Sequence, residues 1–187
     1  RRNNVKKIVV TYRDLRDVVV SEYHNRISLP MDKSEPNYID YNSIDKEEGI
    51  NHLITLATTK ITGDISHVEW INGWFEISKK YKNFVHLCKF ENLIVSPEKE
   101  LSKILYFYEI SISENKISEI IKKTKGKKTI KQNMYESALL PDAISSNYRS
   151  GKIGDWKNEF TEKNKKHFKN LIGNFLIDLG YTKDNNW

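Results

Sequence analysis

The segment from Lys7 to Ser21 constrains the fold more than any other part of the chain. Its first six residues are the apolar, β-branched run Lys7-Ile8-Val9-Val10-Thr11-Tyr12, which is typical of a buried strand. Asp14 follows where it can cap a helix that begins at Leu15. A buried strand leading directly into a helix is the repeating element of α/β proteins. The sequence therefore predicts an α/β fold with a parallel sheet flanked by helices.

A second strand is expected from Asn83 to Phe90, where apolar and β-branched residues again form a short run. The polar pair Glu91-Asn92 is expected to form the turn that ends this strand. No internal repeat or low-complexity linker interrupts the chain, so residues 1–187 are predicted to form a single domain.

Helical spacing and capping residues predict the remaining elements. Helices are expected over 49–58 and 68–81, from Pro97, after Ser113, and from the Thr161 cap to a stop at Gly180. Their apolar stripes are expected to include Tyr108, Ile120 and Leu171.

The net charge of +6 favours anionic partners, which include nucleic acids, anionic lipids and phosphorylated small molecules. Charge alone does not choose among them. The single cysteine, Cys88, excludes an intrachain disulfide and suggests a cytoplasmic location. No apolar run approaches the roughly 20 residues of a membrane span, so no membrane partner is predicted.

A candidate anion-binding group stands at the end of the first strand. Arg13 would lie near the N-terminus of the following helix, a position where α/β proteins bind anions. Ser21, two turns into that helix, could add a hydroxyl donor. The same arginine could instead be a surface ion-pair partner of an acid such as Asp17.

A second candidate is the Gly-rich loop that begins at Arg149, whose guanidinium can make forked hydrogen bonds to a phosphate. Gly151 and Gly154 would let the backbone approach an anion closely. An acid is unfavourable in a phosphate cradle, so Asp155 is expected to cap or brace the turn that Trp156 anchors in the core. Taken alone, the loop is equally compatible with a surface turn held by an aromatic anchor.

Together these segments resemble the sulfotransferases that use the sulfate donor PAPS. The family's strand-to-helix segment is similar to Tyr12-Arg13-Asp14-Leu15-Arg16-Asp17-Val18-Val19-Val20-Ser21. Its C-terminal signature is similar to Arg149-Ser150-Gly151 followed by Gly154-Asp155-Trp156-Lys157. Between them, the family's Tyr-Glu-Asp strand end resembles Lys89-Phe90-Glu91-Asn92-Leu93. The resemblance extends from about Lys7 to Tyr181.

The resemblance implies a P-loop-nucleotide-hydrolase-like sulfotransferase fold and an enzyme that transfers the sulfuryl group of PAPS (3′-phosphoadenylyl sulfate) to a hydroxyl or amine, with PAP as the product. It implies no metal. In the family, the strand-to-helix arginine and serine and the C-terminal signature clamp the 3′-phosphate, and an aromatic residue at the second strand end lies near the adenine. The implied cofactor-binding residues are Arg13, Ser21, Phe90, Arg149, Ser150 and Gly151.

The resemblance also implies that part of the family's fold lies upstream of this chain. The family's phosphosulfate loop with its catalytic lysine, and its usual catalytic histidine, precede the first strand of the matching region. No residue of this chain is therefore predicted to be the catalytic base. The acceptor, a small molecule or carbohydrate, is expected to contact residues 27–66. Glu162 and Lys166 depart from the family's dimer motif, so no oligomeric state is predicted.

Two other functions stay open at this point. A basic nucleic-acid-binding module would account for the net charge, although the aromatic residues fall mostly on core-like helical faces. Another α/β nucleotide-dependent transferase, such as a kinase-like enzyme, would need a Gly-x-x-x-x-Gly-Lys-Ser/Thr loop, and this chain contains none. Because the aromatic residues fall mostly on core-like faces, a nucleic-acid partner is not predicted.

Overall fold

The computed structural model describes residues 5–28, 39–59, 65–124 and 151–187. Contacts between Cα atoms group these residues into two compact units. The first unit contains residues 5–13 and 70–124, and the second contains 14–28, 39–59, 65–69 and 151–187. That residues 1–187 form one domain stays a prediction.

In chain order, the elements of the described residues are β1 (Ile8–Tyr12), α1 (Leu15–Ser28), α2 (Lys46–Thr58), α3 (His67–Lys80), β2 (Val85–Lys89), α4 (Phe90–Val95), α5 (Pro97–Phe107), α6 (Glu114–Thr124), α7 (Trp156–Glu159), α8 (Glu162–Ile172) and α9 (Phe175–Asp178).

The first unit is built on a parallel pair of strands. In the register of β1 and β2, Ile8 is opposite Val85 and Tyr12 is opposite Lys89, so both strands end at the same edge. Val10 on β1 is buried, as are Val85 and Cys88 on β2. The two strands predicted from the sequence are confirmed, because β-branched and apolar side chains suit a strand that is covered on its faces.

Two expectations about the helices of this unit are wrong. Glu91 and Asn92 do not form a turn but lie in α4, which follows β2 without a break. An acid in the first turn of a helix is favoured by the helix dipole, so the polar pair does not prevent the helix. Tyr108 and Ile120 are 40% and 36% exposed, because Tyr108 is already the C-cap of α5 and Ile120 lies beside the buried pair Ile117 and Ile121.

The core of the second unit lies among α1, α2, α8 and α9. Each helix buries apolar side chains, and the largest fully buried ones are Leu15 and Val20 of α1, Ile50 and Ile54 of α2, Phe168 of α8 and Leu176 of α9. The Asp45 side chain caps α2 by accepting a hydrogen bond from the Glu48 N–H at 3.0 Å. Thr161 and Asn164 form a capping box at α8, which confirms Thr161 as the start of this helix.

The last predicted helix is interrupted. α8 ends at Ile172, because Gly173 has φ +53° and leaves the helical conformation, and the shorter α9 follows. Leu171 is 43% exposed and does not belong to the core stripe. No helix in the described part of the chain is long and apolar enough to cross a membrane.

Candidate functional site

The common edge of the two strands brings together two predicted site residues. Arg13 follows β1 and Phe90 follows β2, one residue beyond the paired ends Tyr12 and Lys89. The Arg13 guanidinium carbon lies 4.8 Å from the centroid of the Phe90 ring, in a cation–π contact. Both residues are half-buried. The sequence predicted a role for each, and the parallel register explains why they meet.

Tyr12 lies at the same edge and is half-buried near acidic side chains. Its ring meets Phe75 edge-on at 5.1 Å. Burial raises the pKa of the Tyr12 hydroxyl, and the charges of Glu91, Cys88 and Glu100 raise it further. This hydroxyl therefore stays protonated at neutral pH.

The other predicted residues of the described chain lie in the second unit. Ser21 is on α1, two turns from the helix start, and is half-buried. The start of α1 is as expected, because the Asp14 carboxylate accepts a hydrogen bond from the Arg16 N–H at 3.0 Å. Gly151 has φ +61°, a backbone conformation that favours glycine. Arg13 belongs to the first unit, so convergence of Arg13, Ser21 and Gly151 on one phosphate stays a prediction.

Arg149 and Ser150 lie outside the described residues. The described part of their loop, residues 151–157, contains a second glycine in the left-handed region, Gly154 with φ +76°. Trp156 is 5% exposed, so the aromatic anchor of the loop is confirmed.

Asp155 was predicted to cap or brace the turn; its side chain does not cap α7, and that it braces the turn stays a prediction. It occupies the N-cap position of α7, but its side chain makes no capping hydrogen bond. Asp17 of α1 holds the loop instead. Its carboxylate accepts hydrogen bonds from the Gly154 N–H at 2.7 Å and from the Trp156 N–H at 3.1 Å. With 1% of its surface exposed, Asp17 is not a surface residue.

Arg16 is a second residue whose role sequence reasoning missed. Its guanidinium carbon lies 4.0 Å from the Trp156 ring centroid and 4.5 Å from that of Trp187. The Asp14 carboxylate accepts three further hydrogen bonds from this guanidinium, at 2.9 and 3.2 Å from Nε and at 2.6 Å from Nη2. The only sequence signal was the alternation of acids and arginines between Arg13 and Asp17.

A small apolar cavity of about 120 Å³ lies between α1 and α2. Val18 and Val19 of α1 and Leu53, Leu56 and Ala57 of α2 form its walls, and Glu22 and Arg26 line it with a 2.5 Å ion pair. Its α2 walls fall within the range 27–66 that was expected to contact an acceptor. No pattern in the sequence predicted this cavity.

Comparison with known proteins identifies the family. Residues 2–180 match the family described as "Sulfotransferase domain". The chain is similar to rat sulfotransferase 1C2, with 28% identity over 85% of this chain and 50% of the relative, and to mouse sulfotransferase 1A1, with 26% identity over 94% and 57%. It thus spans about half the length of the curated relatives it matches.

Solved structures confirm the fold class. A mouse sulfotransferase crystallised with PAP superposes with a TM-score of 0.64 at 21% identity, covering 91% of this chain and 58% of that protein. Retinol dehydratase in complex with androsterone and PAP gives a TM-score of 0.63 at 19% identity, covering 92% and 48%. The α/β sulfotransferase fold expected from the two motifs is therefore present, and the chain belongs to the sulfotransferase family.

Proposed function

We propose that this chain supplies the 3′-phosphate-binding half of a PAPS-dependent sulfotransferase. The complete enzyme would transfer the sulfuryl group of PAPS to a hydroxyl or amine of a small-molecule or carbohydrate acceptor and release PAP. The observation that carries the proposal is the stacking of Arg13 on Phe90 at the common edge of β1 and β2. Ligands of open α/β sheets bind beyond the carboxyl ends of the strands.

The residues at this edge fit a nucleotide that carries a phosphate. A guanidinium presents donors in a planar fork that matches phosphate oxygens, and an aromatic face behind it restricts its orientation. We infer that Arg13 holds the 3′-phosphate while the Phe90 ring also contacts the adenine. Phenylalanine has no hydroxyl, so this contact is apolar.

We assign the rest of the phosphate clamp to Ser21, Arg149, Ser150 and Gly151. The positive φ of Gly151 supports this assignment, because a residue without Cβ lets backbone N–H groups approach an anion. The serine hydroxyls would add neutral donors, and Arg149 would add a second fork. Two arginines on one phosphate provide strong, charge-assisted bonds.

The chemistry that PAPS supplies when bound is an activated sulfuryl group, which passes to the acceptor as PAP leaves and the acceptor loses a proton. The residues of this chain would orient the donor from its non-reacting end. Binding energy obtained there can be used to align the reacting end. No residue of this chain is assigned as the catalytic base or as the phosphosulfate-binding lysine.

Two broader predictions belong to the same proposal. We place residues 1–187 in one sulfotransferase domain, supported by the family match over residues 2–180. We also place the enzyme in the cytoplasm, supported by the single cysteine, Cys88, which is buried.

The test is binding of PAP to this chain, measured by titration calorimetry. The wild-type chain should bind, and Arg13→Ala or Arg149→Ala should each weaken binding by at least tenfold, the loss of one charge-assisted contact. Arg26→Ala is the matched control, because it removes the same charge from the last turn of α1, where Arg26 pairs with Glu22. Equal affinity of Arg13→Ala, Arg149→Ala and Arg26→Ala would contradict the proposal.

A further inference from the structure

Asp17 occupies a position where a negative charge needs an explanation. It is the third residue of α1, the helix that carries Ser21, and 1% of its surface is exposed. A carboxylate beside a proposed phosphate site would repel the ligand unless its charge were balanced within the protein. Such a buried charge is also costly unless it is hydrogen-bonded.

The backbone of the Gly-rich loop provides this balance. The Gly154 and Trp156 N–H groups donate to different oxygens of Asp17, one to Oδ2 and one to Oδ1. Hydrogen bonds to a charged acceptor are about twice as strong as neutral ones. The φ of +76° at Gly154 lets the backbone make the turn at which these two donors lie. Both donors belong to the loop whose beginning includes Gly151.

The residue before Asp17 holds the same loop through a side chain. The Arg16 guanidinium carbon lies 4.0 Å from the Trp156 ring centroid and 4.5 Å from that of Trp187, and Asp14 holds the guanidinium in place. Consecutive residues of α1 therefore contact Trp156 in two ways, Asp17 at its N–H and Arg16 at its ring. The conformation of residues 151–157 is thus determined by the first turn of α1 and not by the loop sequence alone.

From this arrangement we propose that Asp17 is a positioning residue of the donor site. Its carboxylate fixes residues 151–157 in the conformation that presents Gly151 to the 3′-phosphate, although Asp17 does not contact the donor itself. This inference rests on the proposed function, because it concerns the same phosphate site. It predicts that PAP affinity depends on the two acceptor oxygens of Asp17.

The test compares Asp17→Asn with the wild-type chain by PAP calorimetry. The asparagine keeps the shape of the side chain but turns an NH2 group towards one of the two N–H donors, so one bond is lost. We expect affinity to fall by about tenfold, which corresponds to one charge-assisted hydrogen bond. By NMR, the Gly154 and Trp156 amides should exchange with solvent at least tenfold faster, while the amides of α2 and α8 keep their protection.

Asn164→Ala is the matched control. Asn164 is as buried as Asp17, lies in the same unit, and makes cross-helix bonds to the Glu47 carbonyl at 2.9 Å and to Asn51 Oδ1 at 2.8 Å. Its loss should lower stability and leave the affinity for PAP unchanged. The inference is overturned if the two variants weaken binding equally, or if Asp17→Asn binds like the wild type. Failure of the wild-type chain to bind PAP refutes the proposed function and, with it, this inference.

Discussion

Replacing Arg16 by alanine should destabilise the second unit more than replacement of any exposed arginine or lysine. Arg16 and Asp14 have side chains only 4% and 8% exposed, and the distance between Nη2 and Oδ2 is 2.6 Å. Removing one partner of a buried ion pair leaves the other charge with less compensation. Alanine also removes the contacts with the Trp156 and Trp187 rings.

The expected loss follows from these contacts. An unpaired, buried carboxylate costs about 3–5 kcal/mol of unfolding free energy. Each stacked indole adds about 0.5–1 kcal/mol, part of which the remaining apolar contacts retain. We expect about 4 kcal/mol for Arg16→Ala. Arg16→Lys keeps a charge beside Asp14 but loses the planar fork, so it should cost about 1–2 kcal/mol.

Urea unfolding at 25 °C, followed by tryptophan fluorescence and by circular dichroism, measures these losses. Trp156 and Trp187 contact Arg16 directly and report on this region. Arg26→Ala, which breaks a partly exposed i,i+4 pair with Glu22, should cost less than about 1 kcal/mol. A loss below about 1 kcal/mol for Arg16→Ala, or equal losses for lysine and alanine, would refute the assignment of Arg16 as a buried, stacked fork.

Three further predictions concern single side chains. Burial, followed by the charge of Glu100, raises the pKa of the Cys88 thiol to about 11, so at pH 8 only about one thiol in a thousand is ionised. Ellman's reagent should therefore react with the urea-unfolded chain and not with the native chain. Rapid labelling of the native chain would contradict this. Burial tends to raise the pKa of Glu159, but hydrogen bonds and charge from Lys46 and His24 outweigh it and lower the pKa below 4.5. The stabilisation by Glu159 is therefore present above pH 4.5 and lost as the pH falls through the lower folded-state pKa. Glu159→Gln should cost about 1 kcal/mol of unfolding free energy at pH 7, and this cost should shrink as the pH falls below 4.5. A difference in urea unfolding that stays constant with pH would exclude this linkage. Phe90→Ala should weaken PAP binding about fivefold because the ring contacts are lost, whereas Phe90→Tyr should bind like the wild type. If both variants match the wild type in calorimetry, the ring does not contribute to PAP binding.

Local patterns predicted the elements well, because their causes lie close together in the sequence. The run that forms β1 and the caps Asp14 and Thr161 depend on neighbours within four residues. Errors arose where a contact distant in the sequence or the backbone conformation of one residue determines the structure. Gly173 could have continued the last helix at a modest cost, and only its φ of +53° shows that it does not.

The candidate site shows the same division. Phe90 and Arg13 were predicted separately, and the register of β1 with β2 makes them neighbours. Asp17 was missed because its partners, the N–H groups of Gly154 and Trp156, are more than 130 residues away in the chain. The argument that excluded Asp155 from a phosphate cradle applies equally to Asp17, and it would have indicated that Asp17 needs internal donors.

Two arginines follow β1 among alternating charges, Arg13 and Arg16, and either could be the one that binds the phosphate. The Arg16 guanidinium is hydrogen-bonded to Asp14, and its carbon lies within 4.5 Å of the ring centroids of Trp156 and Trp187. A phosphate could reach the Nε and Nη2 donors of Arg16 only by displacing a buried carboxylate, which is unfavourable, and Arg16 is only 3% exposed. Arg13 stands at the strand edge against Phe90, so the donor site is assigned to it. The two arginines should therefore differ in experiment: Arg13→Ala should reduce PAP affinity, and Arg16→Lys should reduce stability and leave most of the affinity. The opposite pattern would move the phosphate to Arg16.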